Sequence, residues 1–453
     1  MASSYLKRTF GTPTDQNKWT FSAWVKLAQV TSEAIFFSAG TNASNNVDGI
    51  KTDNNQLRIF SYGGSYVYHL KTTRLLRDVG AFYHIQVAYD SDQSTDSNRI
   101  KVYINGLQET SFSTSTYPSS GANPTHINLN GREHIIGADT GGANNTIEGL
   151  ITHVHFADGQ AYDASTFGET DSTSGIWKPK TSPSVTYGTN GFFLKFENSG
   201  ALGTDSSGNS NTFTVVGTPT QNVDTPSNNF ATMNPIDKSG NPNPPTFANG
   251  NLSVDSVATN QNASARSTLA VSTGKWYVEA KQVGTASPEY MRIGILGADS
   301  STYISTNNDI GHHATGYAYK STGVKANSGT ETSYGNSYTN GDIIGIAFDA
   351  TNGTIWFSKN GTWQNSATIT EIQNGTTTNS AFSSISMTRY FMFASSMAGA
   401  SSGLKYEWNF GQGFFGTTAV ASANADGAGL GAFEYSVPSG FYSLCTKNIK
   451  DYG

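Results

Sequence analysis

The stretch Lys18-Trp19-Thr20-Phe21-Ser22-Ala23-Trp24-Val25-Lys26 sets large apolar residues at alternate positions. Side chains along a strand point alternately to opposite faces, so this period of two predicts a half-buried β-strand. Shorter apolar runs at 34–38, 57–62, 66–72, 82–89, 100–104, 134–137, 149–157 and 191–197 predict further strands, with Gly, Asn, Asp and Ser between them. The same grammar resumes at 274–280, 290–296, 316–320, 341–349, 354–363, 390–394 and 404–410. Two strand pairs close on Asn-Gly, at Asn105-Gly106 and Asn360-Gly361. Both residue types tolerate the positive φ of a tight hairpin turn. No segment sustains a helical period. The pattern predicts an all-β protein of two β-sandwich, jelly-roll-like domains.

Residues 234–245 contain four prolines. Proline removes amide donors and is excluded from sheet interiors, so a linker is expected at 234–246. It would separate a domain at 1–233 from one at 247–435, with a C-terminal tail at 436–453. The chain's 453 residues are comfortable for two sandwiches.

Composition narrows the function classes. Aromatics make up 12% of the chain and the net charge is −6, which argues against disorder. That acidic balance, with no basic run, argues against a nucleic-acid partner. No stretch approaches a membrane helix, and residues 1–8 lack the apolar centre of a signal peptide, so neither membrane insertion nor secretion is expected. Cys445 is the single cysteine, which excludes an intrachain disulfide and suits assembly in a reducing cytosol.

Candidate chemistry is sparse. Glu169 and Asp171 are the nearest approach to a glycosidase carboxylate pair, but they read as a surface turn. No Gly-x-Ser-x-Gly elbow or phosphate-binding glycine loop is present, so no enzyme is expected. His153 and His155 would share a strand face as two metal ligands do; the competing reading is a core-edge histidine paired with a backbone group. The loop carrying Asp90, Asp92 and Asp96 is rich in oxygens but is not an EF-hand, because Thr95 and Lys101 stand where Gly and Glu belong. Asp205 begins a second oxygen-rich turn. For both, the alternative to calcium is an Asx turn in which Asp binds its own backbone. Tyr62, Tyr66 and Tyr68 flank Gly63-Gly64 and could stack on a sugar ring, although alternating tyrosines also describe a half-exposed strand.

Four ordered motifs, Gly274-Lys275-Trp276-Tyr277-Val278-Glu279, Arg292-Ile293-Gly294-Ile295, 341–349 and Ile355-Trp356-Phe357-Ser358-Lys359-Asn360-Gly361, resemble a SPRY domain. That family is a bent β-sandwich that binds proteins through edge loops. The resemblance implies a binding surface around Tyr303, His312, His313, Tyr334 and Tyr338. The first half, through 19–26, 99–106 and 205–211, resembles a laminin-G-like or concanavalin-A-like jelly roll. Such folds often hold calcium at their rims, so calcium at Asp90, Asp92, Asp96 or Asp205 is the one cofactor considered. The segments 154–161, 167–171, Trp177-Lys178-Pro179-Lys180, 229–235 and 443–448 resemble structural proteins of marine bacteriophages. This implies a virion protein assembled in the host cytoplasm: an exposed tail fibre, an appendage or a capsid decoration. It would bind other virion proteins and a host surface protein or glycan, as a homo-oligomer such as a trimer. The alternative is a free carbohydrate-binding lectin or a bacterial surface adhesin.

Overall fold

A computed structural model describes residues 4–30, 33–42, 46–141, 146–239, 244–256, 259–284, 291–300, 308–399 and 403–453. The chain forms two compact units, Met1–Gln221 and Asn222–Gly453. Among the described residues both are built almost wholly from antiparallel sheets, as the alternation predicts.

The first unit pairs an eight-stranded sheet with a six-stranded one. The larger runs, in spatial order, Phe112–Thr116, Tyr66–Leu75, Gln56–Gly63, Asn46–Asp53, Ile35–Asn42, Glu133–Ile136, Tyr5–Thr9, Thr214–Val216. The smaller runs Phe192–Leu194, Gly149–Asp158, Lys18–Leu27, Tyr83–Asp90, Ile100–Ile104, Leu107–Glu109. Trp19, Phe21, Ala23 and Val25 point into the shared core against Phe37, Ile59 and Val87. The opposite face of this strand, expected in solvent, is also buried. Residues 160–177 fold back over it. Thr20 Oγ1 donates to Gln160 O and accepts from Tyr162 N, both at 2.8 Å, and Gln86 donates to Tyr162 O. Alternation identifies two faces but cannot tell whether a later segment covers the second.

The second unit has seven- and eight-stranded sheets. Trp276, Val278, Ala280, Ile344, Ile346 and Phe348 from one meet Ile293, Ile295 and Phe393 from the other. Tyr277 and Glu279 lie on the other side of their strand. There, Tyr277, Trp356, Ile372, Phe433 and Phe441 form a second apolar cluster. The helix Ile369–Asn374 closes over it. Thr368 and Glu371 form a reciprocal capping box and Gly375 ends the helix with φ 72°.

Two boundary expectations are corrected. The units divide at residues 221 and 222, ahead of the proline cluster. Met233–Lys238 is the edge strand of the seven-stranded sheet, not a linker. Pro235 is accommodated because its strand is at the edge and the register shifts between Met233 and Lys238. The expected tail is likewise structural. Tyr442–Ser443 pairs in parallel with Trp276–Tyr277, Thr446–Tyr452 is a helix, and Phe441, Leu444 and Cys445 are buried.

Both Asn-Gly tips adopt the predicted turn, with φ of 51° and 81° at Asn105-Gly106 and 47° and 78° at Asn360-Gly361. Each also seats an aromatic ring from a distant segment. A Cβ on Gly106 would lie 2.9 Å from the Trp177 indole, and one on Gly361 2.6 Å from Tyr435 Cδ1.

Candidate functional site

In the first unit, the hairpin of Gln56–Gly63 and Tyr66–Leu75 carries a surface aromatic group. Tyr62 and Tyr66 lie 4.8 Å apart between centroids, and Tyr66, 43% exposed, stacks on His69 at 4.5 Å. Arg58 donates to the Tyr66 hydroxyl at 2.8 Å and to His69 Nε2 at 3.0 Å. Two of the three tyrosines singled out in sequence are therefore brought together. Tyr68 is not with them: it is fully buried among core residues and stands 5.5 Å from Tyr89. Its hydroxyl has no hydrogen-bond partner among the described residues. An orphaned buried hydroxyl contributes desolvation cost without return. Tyr68→Phe is therefore expected to leave the thermal midpoint of the first unit unchanged or raised; a drop of more than about 1 kcal/mol in stability would count against this account.

The SPRY-loop candidates separate in the same way. Tyr334 and Tyr338 are core residues, 6% and 1% exposed. The Tyr338 hydroxyl meets that of Tyr406 at 2.9 Å and donates to Tyr319 O at 3.0 Å. The resemblance places them in loops, and both do lie in an irregular segment, but one that turns inward. His312 is exposed and 3.8 Å from Asp309, whereas His313 is buried. Asp309 also pairs with Arg292 at 3.0 Å. Tyr303 lies outside the described residues.

The acids proposed for calcium are engaged in their own turns. Asp205 Oδ1 accepts from Phe193 N and Ser207 N, and Oδ2 from Ser207 Oγ and Asn211 N, all at 2.8 Å. Asp90 accepts from Gln93 Nε2 and lies 3.5 Å from Lys18 Nζ. Asp92 donates its amide to Asp90, and Asp96 Oδ1 accepts from Ser97 N. Arg99 donates to the carbonyls of Gln93, Ser94 and Pro118, so a guanidinium occupies oxygens a calcium ion would need. The Asx-turn alternative describes Asp90 and Asp205. Among the described residues, no three His, Cys, Asp or Glu side chains are grouped to hold a metal. His153 and His155 are separated by a register shift, and His153 has φ 48°. His155 stacks on Phe193 at 3.8 Å and its Nδ1 meets the Tyr187 hydroxyl at 2.9 Å, a side-chain partner instead of the expected backbone group.

One hydroxyl–imidazole pair invites a catalytic reading. Ser22 Oγ lies 2.8 Å from His84 Nε2. The Trp177 indole, which can only donate, reaches His84 Nδ1 at 3.0 Å. The imidazole proton therefore sits on Nε2 and points at Ser22, so this ring cannot take the serine proton. Burial holds the His84 pKa down at about 3. Glu169 and Asp171 pair with Lys178 at 3.6 and 2.9 Å.

The second unit contains a site the sequence did not announce. A cavity of about 290 Å³ is lined by the part-exposed Trp363 and Tyr435 and the buried Tyr277, with Ile369, Ser358, Gly361 and Ser436 beside them. The planes of Tyr277 and Trp363 are inclined by 66° at 6.4 Å. Behind Tyr277 sits Glu279, fully buried. Its Oε1 accepts from the Tyr277 hydroxyl at 3.0 Å and Tyr435 N at 2.9 Å, and its Oε2 from Glu434 N at 2.9 Å. Burial pushes the Glu279 pKa up to about 7 against these donors. Period-two spacing placed Tyr277 and Glu279 on one face, and the Asn360-Gly361 turn positions Trp363. Tyr435 arrives from far along the chain, with no local pattern to predict it.

Comparison with known proteins follows these two units. The Concanavalin A-like lectin/glucanases superfamily matches residues 2–164, and the SPRY domain matches residues 275–412. Among solved structures, the SPRY domain of human HERC1 is similar at 15% identity and TM-score 0.31, covering 39% of this chain and 96% of that one. A second human SPRY domain has 15% identity and TM-score 0.25, covering 34% and 89%. A heptameric SAP-like pentraxin from Limulus polyphemus has 14% identity and TM-score 0.27, covering 36% and 72%. No curated protein matches the chain. Residues 2–164 of the first unit thus match a concanavalin A-like domain of the laminin-G type, and residues 275–412 of the second match a SPRY domain.

Proposed function

We propose that this chain is a non-enzymatic binding component of a bacteriophage virion, an exposed fibre or appendage part or a capsid decoration. One domain attaches it to other virion proteins, and the other engages a host surface protein or glycan. The observation that carries the binding role is the pairing of two sandwich domains, each presenting grouped aromatic side chains: Tyr62 and Tyr66 in one, Tyr277, Trp363 and Tyr435 in the other. Rigid aromatic surface on a sheet scaffold suits recognition of protein or sugar. The virion assignment draws its support from the sequence resemblance at 154–161, 167–171, 177–180 and 229–235. The tautomer at His84 and the engagement of Glu169 and Asp171 by Lys178 favour a role without catalysis. Several copies per particle, such as a trimer, fit the usual symmetry of such parts.

Mass spectrometry of washed virions with immunogold labelling tests the assignment. Detection on intact particles is the expected result. Absence from them, together with binding of the free protein on a glycan array, would replace it with a free lectin.

A further inference from the structure

The geometry points to the Tyr277–Trp363–Tyr435 cavity as a binding site for a quaternary or methylated ammonium group. This goes beyond the proposed virion role and does not depend on it.

The part-exposed Trp363 and Tyr435 line one cavity above the buried Tyr277, and no Lys, Arg or His is among its lining residues. The face of an aromatic ring is electron-rich and attracts a cation within about 6 Å, most strongly where water is excluded. The steep angle between Tyr277 and Trp363 makes them adjoining walls, not a stacked pair. The third wall is fixed from behind, because Tyr435 packs on the Gly361 tip and its amide is held by Glu279.

Two acids flank the rings. Glu279 lies directly behind Tyr277, and Glu434 precedes Tyr435. The Tyr435 phenol is raised first by burial and then by the carboxylates of Glu434, Glu279 and Asp342. The neighbouring cation, Lys359, is tied to Asp342 at 3.1 Å.

The cavity's size and polarity select the ligand class further. At about 290 Å³ it is at the small end for ligand sites, suiting a head group more than a whole drug-sized molecule. The Tyr277 hydroxyl is committed to Glu279 and is not offered to a ligand. A trimethylammonium group needs no hydrogen bond and presents methyl groups to the rings.

The test titrates the full chain with choline and, separately, with its neutral isostere 3,3-dimethylbutan-1-ol, by calorimetry at fixed ionic strength. Choline is expected to bind, and the alcohol to bind at least about tenfold more weakly. Trp363→Leu and Tyr435→Leu should each weaken choline binding by about tenfold or more, whereas Tyr435→Phe, which keeps the ring face, should retain it. Thermal melting of each variant establishes that the second unit still folds. Equal affinity for the two probes would overturn the inference in favour of a merely apolar cavity. Choline binding unaffected by both leucine variants, or absent up to about 10 mM, would overturn it outright.

Discussion

Lowering the pH from about 7.5 to about 5 is expected to unfold the first unit while the second remains folded. The first unit buries His84, His126, His134 and His155 almost completely. Burial is the leading cause in each case and holds the first three near 3, 4 and 3, with His155 well below its ordinary value. A depressed folded pKa means the unfolded chain takes up protons first. Stability is therefore complete above the unfolded value near 6.5 and falls as the pH drops below it. At pH 5 each buried imidazole removes roughly 2 kcal/mol, so the four together approach a typical domain's stability of about 5–15 kcal/mol. Asp48 works the other way. It is buried, with its pKa pushed up to about 6, and returns only about 1 kcal/mol over this range. In the second unit Glu279 has the same sign as Asp48, gaining stability as the pH falls through about 7. Hydrogen exchange with mass spectrometry on the full chain, corrected for the intrinsic pH dependence, reads the two units separately. Earlier loss of protection in Asn222–Gly453, or equal loss in both units, would sink the prediction.

Asp158→Ala is expected to cost the first unit about 3–5 kcal/mol, the largest effect of any single polar substitution proposed for this chain. Asp158 is buried, and its Oδ2 accepts from Thr14 N at 2.7 Å and Asn190 N at 3.0 Å. Its Oδ1 accepts from Asn128 Nδ2 at 2.8 Å and Asp15 N at 3.2 Å. Asn190 and Asn128 are themselves joined at 3.0 Å, and Asn128 N donates to His134 Nε2 at 2.9 Å. Truncation strands these donors in the interior. Asp158→Asn keeps one acceptor oxygen and should cost roughly half as much. Urea denaturation of both variants gives the comparison. A loss below about 1 kcal/mol for the alanine variant would show that water or rearrangement replaces the carboxylate.

How far these features could be read from the sequence depends on their range along the chain. Local patterns carried well. The core face of Lys18–Leu27, the Asn105-Gly106 and Asn360-Gly361 turns and the all-β class follow from period two and backbone preference. The helix Ile369–Asn374, capped by Thr368 and Glu371, is too short to register as helical periodicity. Features that rest on distant segments were not. Nothing near Ser22 indicates that Trp177 will fix the tautomer of His84, and nothing near Trp363 indicates Tyr435. Period two places Tyr66 and Tyr68 on one face, yet a register shift between Ser61 and Tyr62 leaves Tyr66 exposed and Tyr68 in the core, and no local pattern announces it. Pro235 misled because a proline at a sheet edge and a proline in a linker look alike in sequence.

The rings seated on Gly106 and Gly361 also decide where the chain can be lengthened. A hairpin tip is ordinarily a tolerant place to graft a foreign peptide. Here two tips are floors for Trp177 and Tyr435, and extending either would displace a ring that organises its surroundings. Among the described residues, no atom lies within 4 Å of a Cβ added at the Gly64 tip. Of these three turns it is the one at which a displayed epitope or label can be carried outward without disturbing the scaffold beneath.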